Sequence, residues 1–389
     1  MHEEVDTNRW PINHSARSVV EEVLVSGPLS RAELSRRLSL SAASLTKITR
    51  PLLDAGYLRE TEQVAVGGAG RPSRPIDLDQ DFAHFIGIKL TGANLFAVAT
   101  DARGNVLRDL DFYLVEQDVV NVVERIAEAV ETLRSGDDRV SGIGISLSGN
   151  ATRDEPTVRK SPFLHWYGVP LASLVTERTG LPTVLDNDVR ALTAAEHWFG
   201  AGADLDSFAL LTFGAGIGCG MVANGAQIEG RLGASGLIGH LPIDDRGPLC
   251  YAGHRGCAHA FATIAGVTKT VSAGLGVPLL GFEECVELAR QGNAVAKTAF
   301  EESGRAIGQL IATVVNIMGP EKVLMAGEGV QMFELGETAA RERLAELLHW
   351  TATEPEILVQ PFDFTEWARG AAVVAIQQHI RQLTAVYAN

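Results

Sequence analysis

Three apolar segments of this chain run directly into glycine-containing turns, and this repeated arrangement limits the possible fold more than any other feature. The segments are "VSGIGISLSGN" at 140–150, "SFALLTFGAGIG" at 207–218 and "EKVLMAGEGV" at 321–330. Each is typical of a buried strand whose carboxyl end stops at a turn. Because helical segments alternate with these strands, the sequence predicts an α/β fold whose ligand-binding groups lie at the strand ends.

The alternation of strands and helices starts near Phe82. The run "HFIGIKLTGANLFAVATDARGNVL" predicts two strands, with the turn "DARGN" leading to a third. A helix is expected from about Val119 to Arg134, and "PTVLDNDVRALTAAEHWFG" predicts a strand, a polar tip and a second helix. A terminal helix is expected to start at "ARGAAVVAI".

The first eighty residues have a different pattern, with three short helical segments. The first, "SARSVVEEVLVSG", stops at Gly27, and the second begins where Ser30 and Glu33 have capping-box spacing. In the third, "AASLTKITRPLLDAGYL", a predicted buried stripe lies opposite a small, polar and basic face. The stripe consists of Leu45, Ile48 and Leu52.

Two extended pieces around "GGAG" follow these helices and complete the outline of a winged helix-turn-helix over residues 1–80. Between Pro28 and Arg74, eight basic residues outnumber four acidic ones, a local balance of +4. Small side chains let a helix approach the major groove, and an arginine at a glycine-rich wing can enter the minor groove. The predicted DNA contacts are Ser41, Ala43, Ser44, Thr46, Lys47, Arg50, Arg71 and Arg74. A protein-interaction module with solvated charges is the alternative.

Composition excludes several other classes of protein. The net charge of −15 argues against nonspecific nucleic-acid binding by the whole chain, because phosphate contacts need clustered Lys and Arg. The start "MHEEVDTNRWPIN" is acidic and polar, unlike a secretory signal. The longest uncharged run, "FALLTFGAGIGCGMVANGAQI", is interrupted by glycines and polar residues, unlike a membrane span. We therefore expect a cytoplasmic globular protein without a membrane partner.

The run "SPFLHWYGVPLASLVTERTGLPTVLDNDVRALTAAEHWFGAG", together with "GAGIG", "GASGLIGH" and "GPLCYAGHRGCAH", resembles the ROK family of repressors and sugar kinases. The resemblance extends from about residue 12 to the end of the chain. It implies a two-lobed, actin-like and hexokinase-like ATPase fold over residues 81–389, which would bind an effector and form oligomers. Many ROK repressors also carry an N-terminal winged helix that ends in a "GRPS" wing, as at 70–73 here.

The residues that bind ATP phosphates in ROK kinases are altered in this chain. Lys89 stands where the resemblance implies an acidic residue that organises metal and phosphates, and Ala93 and Ala215 replace two threonines. Thr91 replaces a glycine of the same first turn. A lysine attracts phosphate but does not coordinate Mg²⁺. We therefore expect neither ATP binding nor kinase activity, although Asp188, the base that a sugar kinase would use, is retained.

Retention of "DND" without the phosphate residues favours a sensor over an enzyme. Asn187 and Asp188 can grip ligand hydroxyls, since an amide donates and accepts and a carboxylate accepts. A polar cap between a strand and a helix is the simpler alternative for this motif. His240 and His259 complete the candidate effector contacts, while Leu237 and His259 replace two sugar-binding glutamates of the family. The predicted ligand is therefore less polar than a plain hexose or anionic, unless effector sensing has been lost.

Two of the four cysteines, Cys219 and Cys285, are expected to be reduced and packed. The other two lie in "GHLPIDDRGPLCYAGHRGCAHAF" at 239–261. The resemblance implies a structural zinc site here, with His240, Cys250 and Cys257 as ligands and Ala252 in place of the fourth. Structural zinc takes four nitrogen or sulfur ligands, so His254 would have to complete the site after a loop rearrangement, with His259 a poorer substitute. Whether zinc is bound stays open at this point, and loss of an ancestral metal site is the alternative.

These observations predict a cytoplasmic ROK-type transcriptional repressor without kinase activity. Its expected partners are operator DNA, a sugar or sugar-derived effector, and further copies of itself in a homodimer or homotetramer. Two alternatives stay open. One is a ROK sugar kinase that uses Asp188 as base on a hexose or amino sugar, and the other is a ligand-independent DNA-binding protein with a degenerate kinase-like domain.

Overall fold

The computed structural model describes residues 14–62, 74–233 and 235–382. The chain divides into two compact units, one formed by residues 1–191 with 367–389 and the other by residues 192–366. Each unit contains one five-stranded sheet. No helix within the described ranges combines the length and the apolarity that crossing a membrane requires.

The first unit opens with three helices and a two-stranded antiparallel sheet. These elements are α1 (His14–Ser26), α2 (Arg31–Arg37), α3 (Ala42–Asp54), β1 (Leu58–Glu60) and β2 (Ile76–Leu78). Ser30 and Glu33 form the predicted capping box at the start of α2, and Gly27 follows α1 with φ +82°. The predicted stripe of α3 is buried, as expected from its spacing. Residues 63–73, which include the predicted wing residue Arg71, lie outside the described residues.

The large sheet of the first unit has the order β5-β4-β3-β6-β9, in which β3, β6 and β9 are parallel. Its strands are β3 (His84–Leu90), β4 (Asn94–Thr100), β5 (Val106–Tyr113), β6 (Val140–Leu147) and β9 (Thr183–Asn187). The intervening elements are α4 (Val119–Arg134), β7 (Val158–Ser161), β8 (Trp166–Val169) and α5 (Leu171–Thr179). The sheet and α4 agree with the sequence prediction, and the parallel strands bring their carboxyl ends to one edge.

The last helix of the described residues, α12 (Phe364–Gln382), packs directly on this sheet. A Cβ at Gly87 or Gly144 would lie 2.0 Å or 1.8 Å from a carbonyl oxygen of α12, so only glycine permits this approach. The helix begins four residues before Ala368, the predicted start. The prediction was wrong there because the side chain of Asp363 accepts the N–H of Thr365 and caps a turn that precedes the apolar pattern.

The second unit has a sheet of order β12-β11-β10-β13-β14. Its strands are β10 (Phe208–Phe213), β11 (Ile217–Ala223), β12 (Ala226–Gln227), β13 (Lys322–Ala326) and β14 (Glu356–Val359). Its helices are a 3₁₀ turn (Arg231–Gly233), α7 (Ala258–Phe261), α8 (Ile264–Leu275), α9 (Phe282–Arg290), α10 (Ala294–Met318) and α11 (Gln331–Leu347). Helix α6 (Asp188–Phe199) contains the boundary between the units.

The core of the second unit buries Cys219 and Cys285, as predicted. Burial raises the pKa of the Cys219 thiol to about 12 and also raises the pKa of Cys285. Both side chains are therefore protonated, packed thiols at neutral pH.

Candidate functional sites

The carboxyl ends of β3 and β9 bring Lys89 and Asp188 together. The ammonium of Lys89 donates a hydrogen bond to Oδ2 of Asp188, and the two residues are only 4% and 7% exposed. The Lys89 Nζ also lies 5.0 Å from the ring centroid of Trp367, a cation–π distance. Lys89 therefore neutralises the carboxylate that a sugar kinase would use as its base.

Asn187 forms the polar cap that was the alternative interpretation of "DND". Its Oδ1 accepts the N–H groups of Val189 and Arg190, at 3.0 Å and 3.2 Å, and its Nδ2 donates to the Gly149 carbonyl at 3.1 Å. Asp188 accepts the Val189 N–H through Oδ1 as well, at 3.0 Å. Both predicted effector residues thus lie together at the start of α6, with part of their hydrogen-bonding capacity already used.

A second charged cluster, which sequence reasoning missed, lies directly behind this motif. Arg153 and Arg190 each bond one carboxylate oxygen of the fully buried Asp186, at 2.5 Å and 2.8 Å. Arg153 also donates to Gln377 of α12. The available signal was the first aspartate of "DND", which sits inside a buried strand and needs a cationic partner. These bonds fix the end of β9 and hence the position of Asn187 and Asp188.

The glycine-rich turn between β10 and β11 donates a backbone hydrogen bond to a carboxylate from elsewhere in the chain. Glu328, from "AGEGV" after β13, accepts the N–H of Ala215 through Oε1 at 2.8 Å. Sequence reasoning missed Glu328. The signal was an acidic residue between two glycines at the end of a buried strand.

The predicted metal residues His240, Cys250 and Cys257 come together in the second unit, and His254 joins them. One ligand atom from each of the four lies within 4.8 Å of the others. Cys250 Sγ lies 3.7 Å from Nδ1 of both His240 and His254, and Cys257 Sγ lies 3.5 Å from Nδ1 of His240. The cluster can hold a metal ion, because two thiols and two imidazoles supply the four ligands of a tetrahedral site.

His254, the predicted candidate for the missing ligand, lies in the cluster because of a tight turn in the loop. The Cys250 N–H donates to the His254 carbonyl at 2.9 Å, and the Gly253 N–H donates to the Cys250 carbonyl at 3.1 Å. This tight turn, with Gly253 at φ +84°, returns His254 to the side of Cys250. Ala252 lies within the turn and offers no ligand atom.

The pKa values of the cluster residues are shifted in different directions. Burial of Cys250 opposes ionisation, but hydrogen bonds from the backbone of Ala252 and His254 outweigh it and lower the pKa of the thiol. Burial raises the pKa of Cys257. Burial and then the charge of His254 lower the pKa of His240, which keeps its imidazole neutral at pH 7 with a lone pair available for coordination.

His259 stands beside the cluster but outside it. Its ring stacks on His240, with centroids 5.4 Å apart and planes inclined by 6°, and Tyr251 contacts both rings. Burial, followed by the charge of His240, lowers the pKa of His259. The structure therefore brings the predicted effector residues His240 and His259 together, while Leu237 is 79% exposed.

The predicted DNA-contact face of α3 is exposed to solvent. Its members are Ser41, Ala43, Ser44, Thr46, Lys47 and Arg50. Ser41 caps the helix by accepting the Ser44 N–H at 3.1 Å. Arg50 lies 4.0 Å from Asp54, and the exposed Arg74 lies 3.7 Å from Glu60 of β1, both weak surface pairs that DNA phosphates could displace.

The chain is similar to proteins of one family. A profile described as the ROK family matches residues 85–378. The Escherichia coli K12 DNA-binding transcriptional dual regulator NagC is 28% identical over 317 residues, which are 78% of this chain and 77% of that protein. A solved ROK family transcriptional regulator, a homologue of the E. coli MLC protein, has a TM-score of 0.83 at 28% identity and covers 95% of this chain and 98% of its own. A ROK hexokinase from Thermus thermophilus has a TM-score of 0.66 at 25% identity, over 76% of this chain and 99% of its own.

These similarities confirm the predicted fold class, an α/β architecture shared with a ROK regulator and a ROK hexokinase. The domain boundary predicted between residues 80 and 81 stays a prediction.

Proposed function

The chain belongs to the ROK family, and from this premise we propose that it is a DNA-binding transcriptional regulator, a repressor controlled by a sugar or sugar-derived effector. One observation carries the proposal. The similarity to a solved ROK transcriptional regulator covers 95% of the chain, whereas the similarity to a ROK hexokinase covers 76%. A regulator therefore accounts for more of the chain than a kinase does.

DNA binding is assigned to residues 1–80, interpreted as a winged helix-turn-helix. In support, α3 buries its apolar stripe and presents a small, polar and basic face, and β1 and β2 form the base of a wing. Lys47 and Arg50 would contact phosphates and base edges, and Arg71 and Arg74 would enter the minor groove. A homodimer or homotetramer would place two such helices on a palindromic operator.

The proposed regulator does not transfer phosphate from ATP. Lys89 bonds Asp188, so that the carboxylate a sugar kinase would use as its base is paired with a buried cation. Glu328 places a negative charge at the Ala215 turn, where an ATP phosphate would be repelled.

The candidate effector contacts are those predicted from the sequence, and each pair is considered within its own unit: Asn187 with Asp188 in the first, and His240 with His259 in the second. Asp188 is still an acceptor, since a carboxylate has about four lone-pair sites and two are used here. An effector controls DNA binding only if it favours one conformation of the regulator over another.

Zinc is the metal that best fits the four-residue cluster. His240, Cys250, His254 and Cys257 would hold it, and the two-sulfur, two-nitrogen set is that of structural zinc sites. Bound zinc would cross-link the loop at 239–261. Within this loop the ring of His240 stacks on that of His259, so that the two predicted effector residues of the loop lie beside the metal cluster.

Footprinting tests the proposed function. The full-length protein is added to DNA that flanks its own gene, with and without a panel of hexoses, pentoses, amino sugars and sugar phosphates. We expect a protected palindrome whose occupancy changes with one of these compounds. Absence of a protected site under every condition contradicts DNA-binding regulation.

The similarity to a ROK hexokinase favours a sugar kinase as the second candidate function. A coupled assay of ADP release with the same neutral sugars separates the two. Turnover that the Asp188→Asn substitution abolishes would establish the kinase, while a footprint that no compound alters would favour a ligand-independent DNA-binding protein.

A further inference from the structure

His84, the first residue of β3, lies between two aspartates from different parts of the first unit. Its side chain is only 4% exposed. Nδ1 lies 2.5 Å from Oδ2 of Asp137, in the turn between α4 and β6, and Nε2 lies 3.5 Å from Oδ1 of Asp81. Asp81 belongs to the segment 79–83, which joins β2 to β3. One imidazole ring thus contacts a carboxylate on each side.

The two nitrogens of this ring differ in their hydrogen bonding. Arg139 donates from Nε to Oδ1 of Asp137 at 2.9 Å, and this bond is the main cause that holds the pKa of Asp137 well below its usual range. Asp137 is therefore an ionised acceptor, so Nδ1 of His84 carries the proton of their hydrogen bond. Nε2 is buried and has no hydrogen-bond partner among the described residues. In a neutral ring, its lone pair lies next to the Asp81 carboxylate.

A proton on Nε2 makes this second contact favourable. The imidazolium has two N–H donors, one for each aspartate, and both contacts then join opposite charges. In the neutral ring, a buried acceptor lies without a donor beside a negative charge, which costs free energy. Arg139 lies 3.5 Å from Asp81 and holds it at every pH, so protonation of His84 adds to an attachment that already exists.

The other charged groups around the ring have partners of their own. On β5, Arg108 lies 4.0 Å from Asp137. In the turn before β6, Asp138 forms an ion pair with Arg134 at 3.7 Å. After β4, Asp101 accepts the backbone N–H groups of its own turn. The contact between His84 and Asp81 is therefore the one in this cluster that protonation of an imidazole changes.

The segment 79–83 leads from the proposed DNA-binding domain to the large sheet. The Asp79 N–H donates to the Tyr57 carbonyl at 3.1 Å, and the Ala102 N–H donates to the Gln80 carbonyl at 3.3 Å. The ring centroids of Phe82 and Tyr57 lie 5.0 Å apart. A change in how firmly Asp81 is held thus acts on the connection between the domain and the sheet.

We propose that His84 is a proton-dependent switch that holds the segment 79–83 on the start of β3. At the acid end of the range in which histidine titrates, the imidazolium binds Asp137 and Asp81 together. As the pH rises through that range, Nε2 loses its proton and the contact with Asp81 becomes unfavourable. The segment then opens more often, because local opening reflects the contacts that hold each part of the chain.

A second histidine near this segment acts in the opposite direction. His379 of α12 has its ring centroid 6.0 Å from that of Phe82 and 5.4 Å from that of Phe85. Burial lowers the pKa of His379, so its packing favours the neutral ring and is weakened as the pH falls. Attachment that weakens as the pH rises is therefore specific to His84.

Hydrogen exchange of the full-length chain, read by mass spectrometry on peptides that cover 79–83 and corrected for the intrinsic exchange rate, tests the switch. We expect the protection of this segment in wild type to fall about fivefold between about pH 6 and about pH 8. Asp81→Asn removes one carboxylate and His84→Gln removes the titrating ring, so each should abolish this fall. Asp138→Asn is the matched control, since Asp138 is an exposed carboxylate of the neighbouring turn that pairs with Arg134, and it should keep the wild-type pH dependence.

Protection of the wild-type segment that does not change with pH overturns the proposal. So does a fall that persists in Asp81→Asn or in a folded His84→Gln protein. If His84→Gln fails to fold, Asp81→Asn decides alone, because the Asp81 side chain is 73% exposed and its replacement leaves the core intact. Exchange is measured without DNA, so a failure of this proposal leaves the proposed function untouched.

Discussion

Lys89 replaces an acidic residue of ROK kinases, and in the structure its ammonium is paired with a carboxylate. Its position at the end of β3 brings its ammonium to Asp188 and the ring of Trp367, in surroundings where an unpaired charge of either sign is costly. The sequence showed what Lys89 lacks, the ability to hold Mg²⁺, but a contact across 99 residues depends on the packing of three strands. Glu328 is a similar case, since its partner Ala215 lies 113 residues away along the chain. The altered chemistry of Lys89 was predictable, but its long-range partner was not, and Glu328 was not identified from the sequence at all.

Substitution Lys89→Met should therefore destabilise the protein by about 3 to 5 kcal/mol, because it leaves the carboxylate of Asp188 buried without its counter-ion. The double variant Lys89→Met with Asp188→Asn removes the orphaned charge and should recover part of this loss. Urea unfolding measures both values, with Lys160→Met, at an exposed position, as control. A loss below about 1 kcal/mol for Lys89→Met would mean that the pair contributes little.

Elements with a strong period were predicted well, and elements fixed by an isolated cap were not. Helix α4 spans the predicted residues because its apolar positions repeat with helical spacing and Asp118 caps it. Helix α12 begins earlier than predicted, because its cap at Asp363 precedes the apolar pattern. The loop at 239–261, which contains the metal cluster, was also predicted only in part. The types of its ligands and their spacing could be predicted from the sequence. The turn that brings His254 back to Cys250 could not, because it depends on the folded backbone.

The metal cluster leads to a prediction about zinc affinity. His254→Ala should lower the affinity for zinc by more than about tenfold, because only three ligands remain. Adding Ala252→Cys to that variant should restore tight binding if a thiolate from the same turn can reach the metal. Zinc content after dialysis against a chelator measures the effect, with His349→Ala, outside the cluster, as control. Equal zinc retention by His254→Ala and wild type would exclude His254 as a ligand.

Arg103, in the turn between β4 and β5, is hydrogen-bonded to both α1 and β2 of the first unit. Its Nη2 donates to Asp77 of β2 at 2.5 Å and to the Val23 carbonyl of α1 at 3.2 Å, and the backbone of the turn is fixed by the buried Asp101. Arg103 thus ties the proposed DNA-binding domain to the large sheet.

Removal of the Arg103 side chain should make local opening of α1 and β2 easier. In Arg103→Ala the buried carboxylate of Asp77 loses its bond to Arg103, and we expect the opening free energy of these elements to fall by about 2 kcal/mol. Hydrogen exchange read by mass spectrometry on the full chain measures it. Arg159→Ala, which removes only a surface pair with Glu155, should leave exchange unchanged. Unaltered exchange of α1 and β2 in Arg103→Ala would show that Arg103 is dispensable.

At the scale of the whole molecule, the residues at the strand ends and those of the N-terminal elements both favour a DNA-binding regulator over a kinase. The strand ends that would hold a kinase's catalytic groups contain internal ion pairs and an internal carboxylate, while the N-terminal elements present a basic helix face. Fold class was predictable from the alternation of strands and helices, and similarity to a ROK regulator over 95% of the chain agrees with it. The change in charge between the acidic whole and the basic segment near α3 was already visible in the sequence. What could not be read was which polar residues pair with each other across the fold.

The most direct test of the central claim, that α3 binds operator DNA, is the salt dependence of binding to the footprinted fragment. Fluorescence anisotropy compares wild type, Lys47→Ala and the control Lys160→Ala, at several salt concentrations. We expect Lys47→Ala to weaken binding and to reduce the slope of log K against log salt by about 1, because one phosphate contact is lost, while the control matches wild type. Wild-type affinity and slope for Lys47→Ala in a normally folded protein would contradict the assignment of α3 as the DNA-binding helix.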